Sequence, residues 1–337
     1  MVHTPIAVLS ILAAALVAAK PGTPAKPATP AAPAAATPGA EPTKAETPAR
    51  QPSAKGTMFD GEAKELAGGF RFTEGPVYVS SGPLAGYFVF SDIPNSKIHK
   101  VKIDKEGKGT PELLREKSGG ANGNAVDAKG QLVSCESEGR VTRTDILADS
   151  KATPVVLASE FEGSRLNSPN DLCIGANGDI YFTDPAYFAG EARKLKFEGV
   201  YRLAPDGKLT VVSKDYKRPN GICLSPDGKK LYVADAGAGE LWVHEVNADG
   251  STGERKPFAD FKGVRGRGVP DGLRTDKKGN VYSTGPGGIW CFSPTGEWLD
   301  RLSLPSVSNF NFGGPDGTTI LTTSGAQIMV GKSKNPG

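Results

Sequence analysis

The sequence lacks the cysteine patterns that mark zinc ribbons and redox centres. None of its cysteines forms a C-x-x-C pair, and each lies inside an apolar, strand-like segment: Cys135, Cys173, Cys223 and Cys291. We therefore expect buried free thiols. A bridge between Cys173 and Cys223 is the minor alternative, because both occupy the same position of a repeat and an exported protein can form disulfides.

Histidine is scarce as well. Of three histidines only His99 and His244 lie beyond the N-terminal region, both in strand-like segments. We expect outward-facing strand positions for both, so a Ser-His-Asp triad has no convincing base. The sequence also has no G-x-S-x-G motif, P-loop or dinucleotide fingerprint, so the corresponding hydrolase, NTPase and dehydrogenase signatures are missing.

Apolar runs long enough to span a bilayer are missing too. The run at residues 6–19 has the length of a signal-peptide core and ends in small residues. Residues 1–19 are therefore expected to be a signal peptide, and the protein to be exported to the periplasm or secreted. Residues 20–55 hold nine prolines and no apolar periodicity, which predicts a disordered Pro/Ala-rich linker.

The net charge of the chain gives no sign of a nucleic-acid partner. It is formally +3, and residues 20–55 account for all of it with five Lys or Arg against two Glu. Residues 56–337 are thus formally neutral and have no basic stripe. With only strand-sized apolar runs beyond residue 19, neither nucleic acid nor a membrane span is expected for the mature chain.

A repeat organises residues 56–337. Six segments start with a polar residue, here called the opener, and each reaches a turn glycine eight residues later. The openers are Glu74, Asn122, Asn170, Asn220, Asp271 and Asn309. Strand-like runs follow each turn and give four antiparallel strands per repeat in most copies. The openers lie 38 to 51 residues apart, close to the known period of propeller blades.

These features predict an all-β fold, a six-bladed β-propeller. The last repeat ends after its third strand, and Ala63 to Gly69 resembles the fourth strands of other repeats. This N-terminal strand is expected to complete the last blade and close the ring. The alternative, unrelated hairpins of a sandwich, leaves the six identical offsets unexplained.

In a propeller the innermost strand of each blade lines the central channel, so the openers should converge at the axis. Two carboxylates and four carboxamides in a narrow channel favour a bound hard cation, because all six offer oxygen. This predicts Ca²⁺, with Mg²⁺ or Mn²⁺ and, less favoured, Zn²⁺ as alternatives. Another interpretation is that Asn and Asp before glycine cap turns, but it does not explain Glu at the first opener.

Three aspartates recur elsewhere in the repeat. Asp92, Asp184 and Asp235 each follow a second strand. We interpret them as turn residues first and as groups at a pocket rim second.

Eight motifs lie at or near the openers: T-E-G-P (73–76), F-S-D-I-P-N (90–95), R-L-N-S-P-N-D (165–171), Y-F-T-D-P (181–185), R-P-N-G (218–221), L-Y-V-A-D (231–235), V-P-D-G-L (269–273) and F-G-G-P-D-G (312–317). Together they resemble the SMP-30/gluconolactonase/LRE-like family, in its bacterial gluconolactonase-like branch. The resemblance covers about residues 72–330. It implies a six-bladed propeller with a divalent cation at its axis.

The resemblance also implies roles for particular residues. Glu74, Asn220 and Asp271 match the family's metal ligands. Asn170 matches a ligand or near-ligand that also touches substrate, and Arg165 is the nearest match to a substrate-binding arginine. The full set expected to bind substrate is Asn122, Arg165, Asn170 and Asp171. One motif departs from the branch: residues 135–139 read C-E-S-E-G where C-E-H-G is common, which puts the particular substrate in doubt.

The expected activity is metal-assisted hydrolysis of a small sugar lactone, with Asp271 as general base. Asp271 as pure metal ligand or as direct nucleophile are alternatives. Two other functions stay open: hydrolysis of a phosphotriester or other activated ester at the same site, and a non-catalytic calcium-stabilised propeller that binds a sugar or a protein.

Overall fold

A computed structural model describes residues 57–337, and these residues form six four-stranded antiparallel sheets. The arrangement confirms the predicted all-β, six-bladed propeller. The expected signal peptide (1–19) and linker (20–55) lie outside the described residues. Between residues 57 and 337 no helix is long and apolar enough to cross a membrane.

The N-terminal strand of the described chain is β1 (Lys64–Gly68), and the first three blades follow it in order. Blade 1 contains β2 (Thr73–Tyr78), β3 (Tyr87–Asp92), β4 (Lys97–Lys102) and β5 (Glu112–Glu116). Blade 2 contains β6 (Ala121–Val126), β7 (Leu132–Glu136), β8 (Arg140–Thr144) and β9 (Val155–Ala158). A short hairpin, β10 (Glu160–Phe161) and β11 (Ser164–Arg165), leads to blade 3, with β12 (Leu172–Ile174), β13 (Ile180–Asp184), β14 (Gly199–Leu203) and β15 (Leu209–Ser213).

The second half of the ring repeats this plan. Blade 4 contains β16 (Pro219–Leu224), β17 (Lys230–Asp235), β18 (Glu240–Glu245) and β19 (Lys256–Asp260). Blade 5 contains β20 (Leu273–Thr275), β21 (Val281–Gly285), β22 (Gly288–Phe292) and β23 (Trp298–Ser303). Blade 6 contains β24 (Asn309–Gly313), β25 (Thr319–Ser324) and β26 (Gln327–Lys332). Two 3₁₀ turns, Ile93–Asn95 and Gly190–Ala192, lie in loops after second strands.

The stretch expected to close the ring corresponds to β1. This strand pairs antiparallel with β26 from Lys64 opposite Val330 to Gly68 opposite Gln327, with a shift of register between Glu65 and Ala67. The sheet order β1-β26-β25-β24 makes β1 the outer strand of blade 6. The first and last strands of the described chain therefore share one sheet.

The hydrophobic core of the described chain is divided into six clusters, and each fills the space between two neighbouring blades. Phe88 and Phe90 of blade 1, for example, pack with Leu321 and Ile328 of blade 6. The other five clusters follow the same rule around the ring. Because each strand alternates its side chains between two faces, every blade supplies apolar residues to both neighbours. The apolar residues thus form six wedges, and the axis is left to polar side chains.

Candidate metal centre

The openers lie at the start of the innermost strands. Four of them lie inside β2, β6, β16 and β24, while Asn170 and Asp271 precede β12 and β20 by two residues. Five openers are buried and Asp271 is partly exposed. The repeat position recognised in the sequence therefore lies at or just before the start of the innermost strand in every blade.

The glycine after an opener serves the contact between blades and does not form a turn. A Cβ atom on Gly75 would overlap the backbone carbonyl of Asn122 in blade 2. One on Gly221 would overlap the carbonyl of Asp271 in blade 5. Glycine allows the backbone of the neighbouring opener to pass at this distance. This close packing explains the opener-glycine pairs better than turn capping does.

The two acidic openers are held in an unfavourable electrostatic environment. Burial raises the pKa of Glu74 to about 7. The hydrogen bond donated by the Gly75 N–H lowers this pKa in part, and the charge of Asp171 raises it further. Burial, followed by the charges of Glu74 and Asp171, raises the pKa of Asp271 well above its usual range. Burial and neighbouring carboxylates therefore oppose the ionisation of both Glu74 and Asp271.

A guanidinium group offsets part of this charge. Arg274 of β20 donates from Nη1 to Asp171 Oδ2 at 3.3 Å, and Asn309 Nδ2 donates to the same oxygen at 3.3 Å. The N–H of Leu172 donates to the other carboxylate oxygen. Asp171, expected to bind substrate, is thus buried and has protein partners on both oxygens. Three carboxylates against one guanidinium leave two negative charges, which one divalent cation would balance.

Asn220 has an unsatisfied oxygen. Its Oδ1 atom is buried and accepts no hydrogen bond from the described residues. Its Nδ2 atom donates to the Tyr187 hydroxyl oxygen at 3.2 Å, and the amide also hydrogen-bonds to Asp271. A buried polar atom without a partner is costly, and a cation ligated by that oxygen would remove the cost.

These observations fit a hard cation held by Glu74, Asn170, Asn220 and Asp271. The set offers only oxygen, includes two carboxylates with raised pKa values, and contains the unpaired Asn220 Oδ1. Among residues 57–337 no group of three or more His, Cys, Asp and Glu side chains is arranged to hold a metal ion. Any site at the axis must therefore draw on the asparagines.

The remaining expected substrate residues make contacts that involve the protein backbone. Arg165 is half buried, and its Nη1 atom donates to the backbone carbonyls of Leu166 (3.0 Å) and Asn167 (2.9 Å) while its guanidinium packs on Gly139. The backbone carbonyl of Asn122 accepts a hydrogen bond from Ser91. The backbone carbonyl of Asn170 accepts one from Gly123 at 2.7 Å.

Tyr187 and Arg274 are site residues that the sequence analysis missed. Tyr187 follows β13 in a loop, is 39% exposed, and stacks beneath the Arg218 guanidinium at 5.1 Å. Burial, followed by the charge of Asp271, raises the pKa of its hydroxyl. Neither residue occupies an opener position, so the repeat gave no signal for them.

The histidines and cysteines are packed among the strands, and the Cys135 thiol lies 3.7 Å from the Asp171 carbonyl. Contrary to the expected outward-facing position, His244 is buried and its ring nitrogens bond to the Tyr216 hydroxyl and the Gly253 carbonyl, both at 2.8 Å. His99 stacks on Phe90 between blades. All four cysteines are free thiols. These residues contribute to packing.

The fold and the acidic axial site define a class: six-bladed propellers with an oxygen-lined centre. The family model described as the SMP-30/Gluconolactonase/LRE-like region matches residues 72–326, and the chain belongs to this family. The gluconolactonase of Zymomonas mobilis subsp. mobilis is 32% identical over 291 residues, which cover 79% of this chain and 80% of the relative.

Two solved structures share the fold. One is XC5397 from Xanthomonas campestris, described as a gluconolactonase important in glucose secondary metabolic pathways; it has a TM-score of 0.70 and 31% identity, and the match covers 81% of this chain and 90% of that one. The other is regucalcin from Agrobacterium tumefaciens, described as a calcium-binding protein, with a TM-score of 0.66, 20% identity, and coverage of 83% and 95%. The predicted family resemblance is thereby confirmed.

Proposed function

We propose that the protein is a divalent-metal-dependent hydrolase that opens small lactones, with sugar lactones of the gluconolactone type as the first candidates. The observation that carries this proposal is the convergence of Glu74, Asn220 and Asp271 at the axis, with an unpaired buried oxygen on Asn220. Membership of a family with gluconolactonase relatives supports the choice of substrate class.

Glu74, Asn170, Asn220 and Asp271 would hold the ion. Their oxygen ligands favour Ca²⁺, with Mg²⁺, Mn²⁺ and Zn²⁺ as alternatives. A bound cation would supply polarisation of the lactone carbonyl and charge stabilisation as the carbonyl oxygen becomes negative.

Asp271 is the residue best placed to handle a proton. It is the partly exposed opener. Its raised pKa makes it a stronger base than an ordinary aspartate. We assign it to take a proton from the water that attacks the carbonyl carbon; the ring C–O bond then breaks, and Asp271 returns the proton to the leaving ring oxygen, which becomes a hydroxyl group. A role as pure ligand or as nucleophile would place the same carboxylate on the ion or on the carbonyl carbon.

The rim of the channel would hold the rest of the substrate. Asn122, Arg165, Asn170 and Asp171 remain the proposed contacts, and the Tyr187 hydroxyl joins them because it lies against Asn220 at the channel mouth. The Asp171 carboxylate would act mainly by orienting Arg274 and Asn309, since both already donate to it. Export to the periplasm or secretion is proposed from the apolar run at residues 6–19.

The test is hydrolysis of a lactone panel by the purified protein, with and without EDTA and after Ca²⁺ is added back. We expect turnover that EDTA abolishes and Ca²⁺ restores. Faster hydrolysis of phosphotriesters than of every lactone would reassign the substrate class. Metal binding without turnover on any ester would leave a non-catalytic binding propeller.

A further inference from the structure

Three buried aspartates make the same contact in three different blades. Asp92, Asp184 and Asp235 each end the second strand of a blade and are at most 1% exposed. Each carboxylate accepts hydrogen bonds from the backbone N–H groups of the residues two and three positions before the opener. We call this arrangement the carboxylate clamp.

The distances in the clamp are similar from blade to blade. Asp184 accepts from the N–H groups of Asn167 at 2.8 Å and Ser168 at 2.7 Å. Asp235 accepts from Lys217 at 2.9 Å and Arg218 at 3.0 Å. In blade 1 the distances are longer: Asp92 accepts from Arg71 at 3.2 and 3.3 Å and from Phe72 at 3.1 Å.

The other three blades have no such clamp. Glu136 takes the equivalent position in blade 2 and accepts from the side chains of Arg140 and Thr142. Blade 5 has Gly285 at the end of its second strand. Blade 6 has Ser324, whose hydroxyl donates to the Ser306 carbonyl.

The distribution of the clamp follows three of the four proposed metal ligands; the exception is Asp271, because blade 5 has Gly285 at the clamp position. The clamped blades carry Glu74, Asn170 and Asn220, which are three of the four proposed ligands. Two unclamped blades carry Asn122 and Asn309, which are not proposed ligands. A purely structural tie at the blade corner would give no reason for this difference, because all six blades have the same strand plan.

The clamp can act on a ligand through the backbone. Two hydrogen bonds donated by consecutive backbone N–H groups to one carboxyl group fix the segment that leads into the opener. In blades 1 and 4 the clamp aspartate also pairs in register with the residue just before the opener, Thr73 and Pro219 respectively. The backbone is therefore held at the residue next to the opener. This orients the ligand oxygen of the opener before an ion binds.

We propose that Asp92, Asp184 and Asp235 are positioning residues for the axial metal centre, acting through the backbone that carries Glu74, Asn170 and Asn220. The inference rests on the proposed metal site. It assigns to these aspartates a role in metal affinity that is separate from their contribution to stability.

The test compares clamp variants with a matched aspartate elsewhere. Asp235→Asn and Asp184→Asn each replace one acceptor oxygen by an N–H donor that faces a backbone donor. The control is Asp276→Asn: Asp276 is equally buried and accepts from the N–H groups of Lys278 and Asn280, both at 2.9 Å, at the far end of the innermost strand of blade 5. Calcium affinity is measured by titration calorimetry on the full chain, and stability by thermal unfolding without metal.

We expect calcium affinity to fall about 10- to 100-fold in both clamp variants and to stay within about threefold in Asp276→Asn, although all three lower the unfolding temperature. Wild-type affinity in folded clamp variants would overturn the inference and leave the proposed function intact. Failure of the wild-type protein to bind any divalent ion would overturn both. If Asp235→Asn and Asp184→Asn do not fold, Asp92→Asn, with its longer hydrogen bonds, decides the question by the same measurement.

Discussion

The wedges between blades and the axial channel are built on opposite principles. Each wedge is dry and apolar, as where Phe88 and Phe90 meet Leu321 and Ile328. The channel gathers Glu74 and Asp271, whose pKa values are raised by burial and by nearby carboxylates. Burial of apolar area stabilises the ring, whereas burial of unpaired charge destabilises it. The comparison indicates that apolar packing in the wedges offsets the unfavourable burial of the channel carboxylates.

Asp271→Asn should change the activity of the channel without weakening the packing of the wedges. The substitution keeps the shape of the side chain and removes its charge and basicity. We expect kcat on a lactone to fall about 10²- to 10⁴-fold, while the metal-free protein stays as stable or becomes more stable because one of three like charges is gone.

Steady-state kinetics and calcium titration check this expectation together. A loss of calcium affinity that accounts for the whole loss of rate would identify Asp271 as a pure ligand. A kcat within tenfold of wild type would exclude it from the proton transfer.

The reverse change is Leu321→Ala, which alters a wedge and spares the channel. Leu321 is fully buried in β25. Its truncation should lower the free energy of unfolding by about 2–5 kcal/mol, measured by denaturant titration, and leave calcium affinity within about threefold. A parallel loss of affinity would show that wedge packing and channel geometry are coupled.

A change of pH should act on Glu74 in the channel and on the clamp residue Asp184, because burial raises the pKa of both carboxyl groups to about 7. The raised pKa of Glu74 means that the metal-free folded protein holds this proton more tightly than the unfolded chain does. Its stabilising effect is therefore complete below the ordinary carboxyl pKa and is lost as the pH rises through about 7.

A metal ion must displace that proton, so calcium affinity should fall about tenfold per unit as the pH drops below 7, and more steeply if Asp271 also binds a proton. Calorimetric titrations between pH 5.5 and 8.5 test this. The increase in unfolding temperature that Ca²⁺ produces should grow over the same interval. A flat profile would mean that Glu74 is already ionised throughout.

The smallest expected effect belongs to Tyr187→Phe. The substitution removes the hydroxyl that accepts from Asn220 and keeps the ring beneath Arg218. One neutral hydrogen bond is worth about 0.5–1.5 kcal/mol, so we expect a drop of up to about tenfold in kcat/KM with calcium affinity almost unchanged. Equal losses of calcium affinity and kcat/KM would show that Tyr187 orients Asn220 and does not contact the substrate.

The sequence predicted the blades because a propeller repeats its geometry. The fixed eight-residue step from opener to turn glycine reflects one hairpin made six times, so its period could be counted without coordinates. The openers followed from the same count, since a given position of the innermost strand returns to the axis in each blade.

Contacts between distant blades could not be read in this way. Asp171 and Arg274 lie 103 residues apart and meet only because blades 3 and 5 face the same channel. Tyr187 reaches Asn220 from a loop outside the repeat. The aspartates that follow second strands were recognised as turn residues, but their shared link to the openers became visible only from the hydrogen bonds.

The pairing of β1 with β26 also has a consequence in time. Lys64 lies opposite Val330, so β1, the first strand of the described region to be synthesised, can pair only after β26, the last strand, has been made. Blades 1 to 5 can form from local hairpins as they are synthesised. Blade 6 needs β1 together with β24, β25 and β26, which are far apart in sequence. Until then the outer edge of β26 is open to other chains. The slow and aggregation-prone step of folding is therefore expected to be the last closure of the ring.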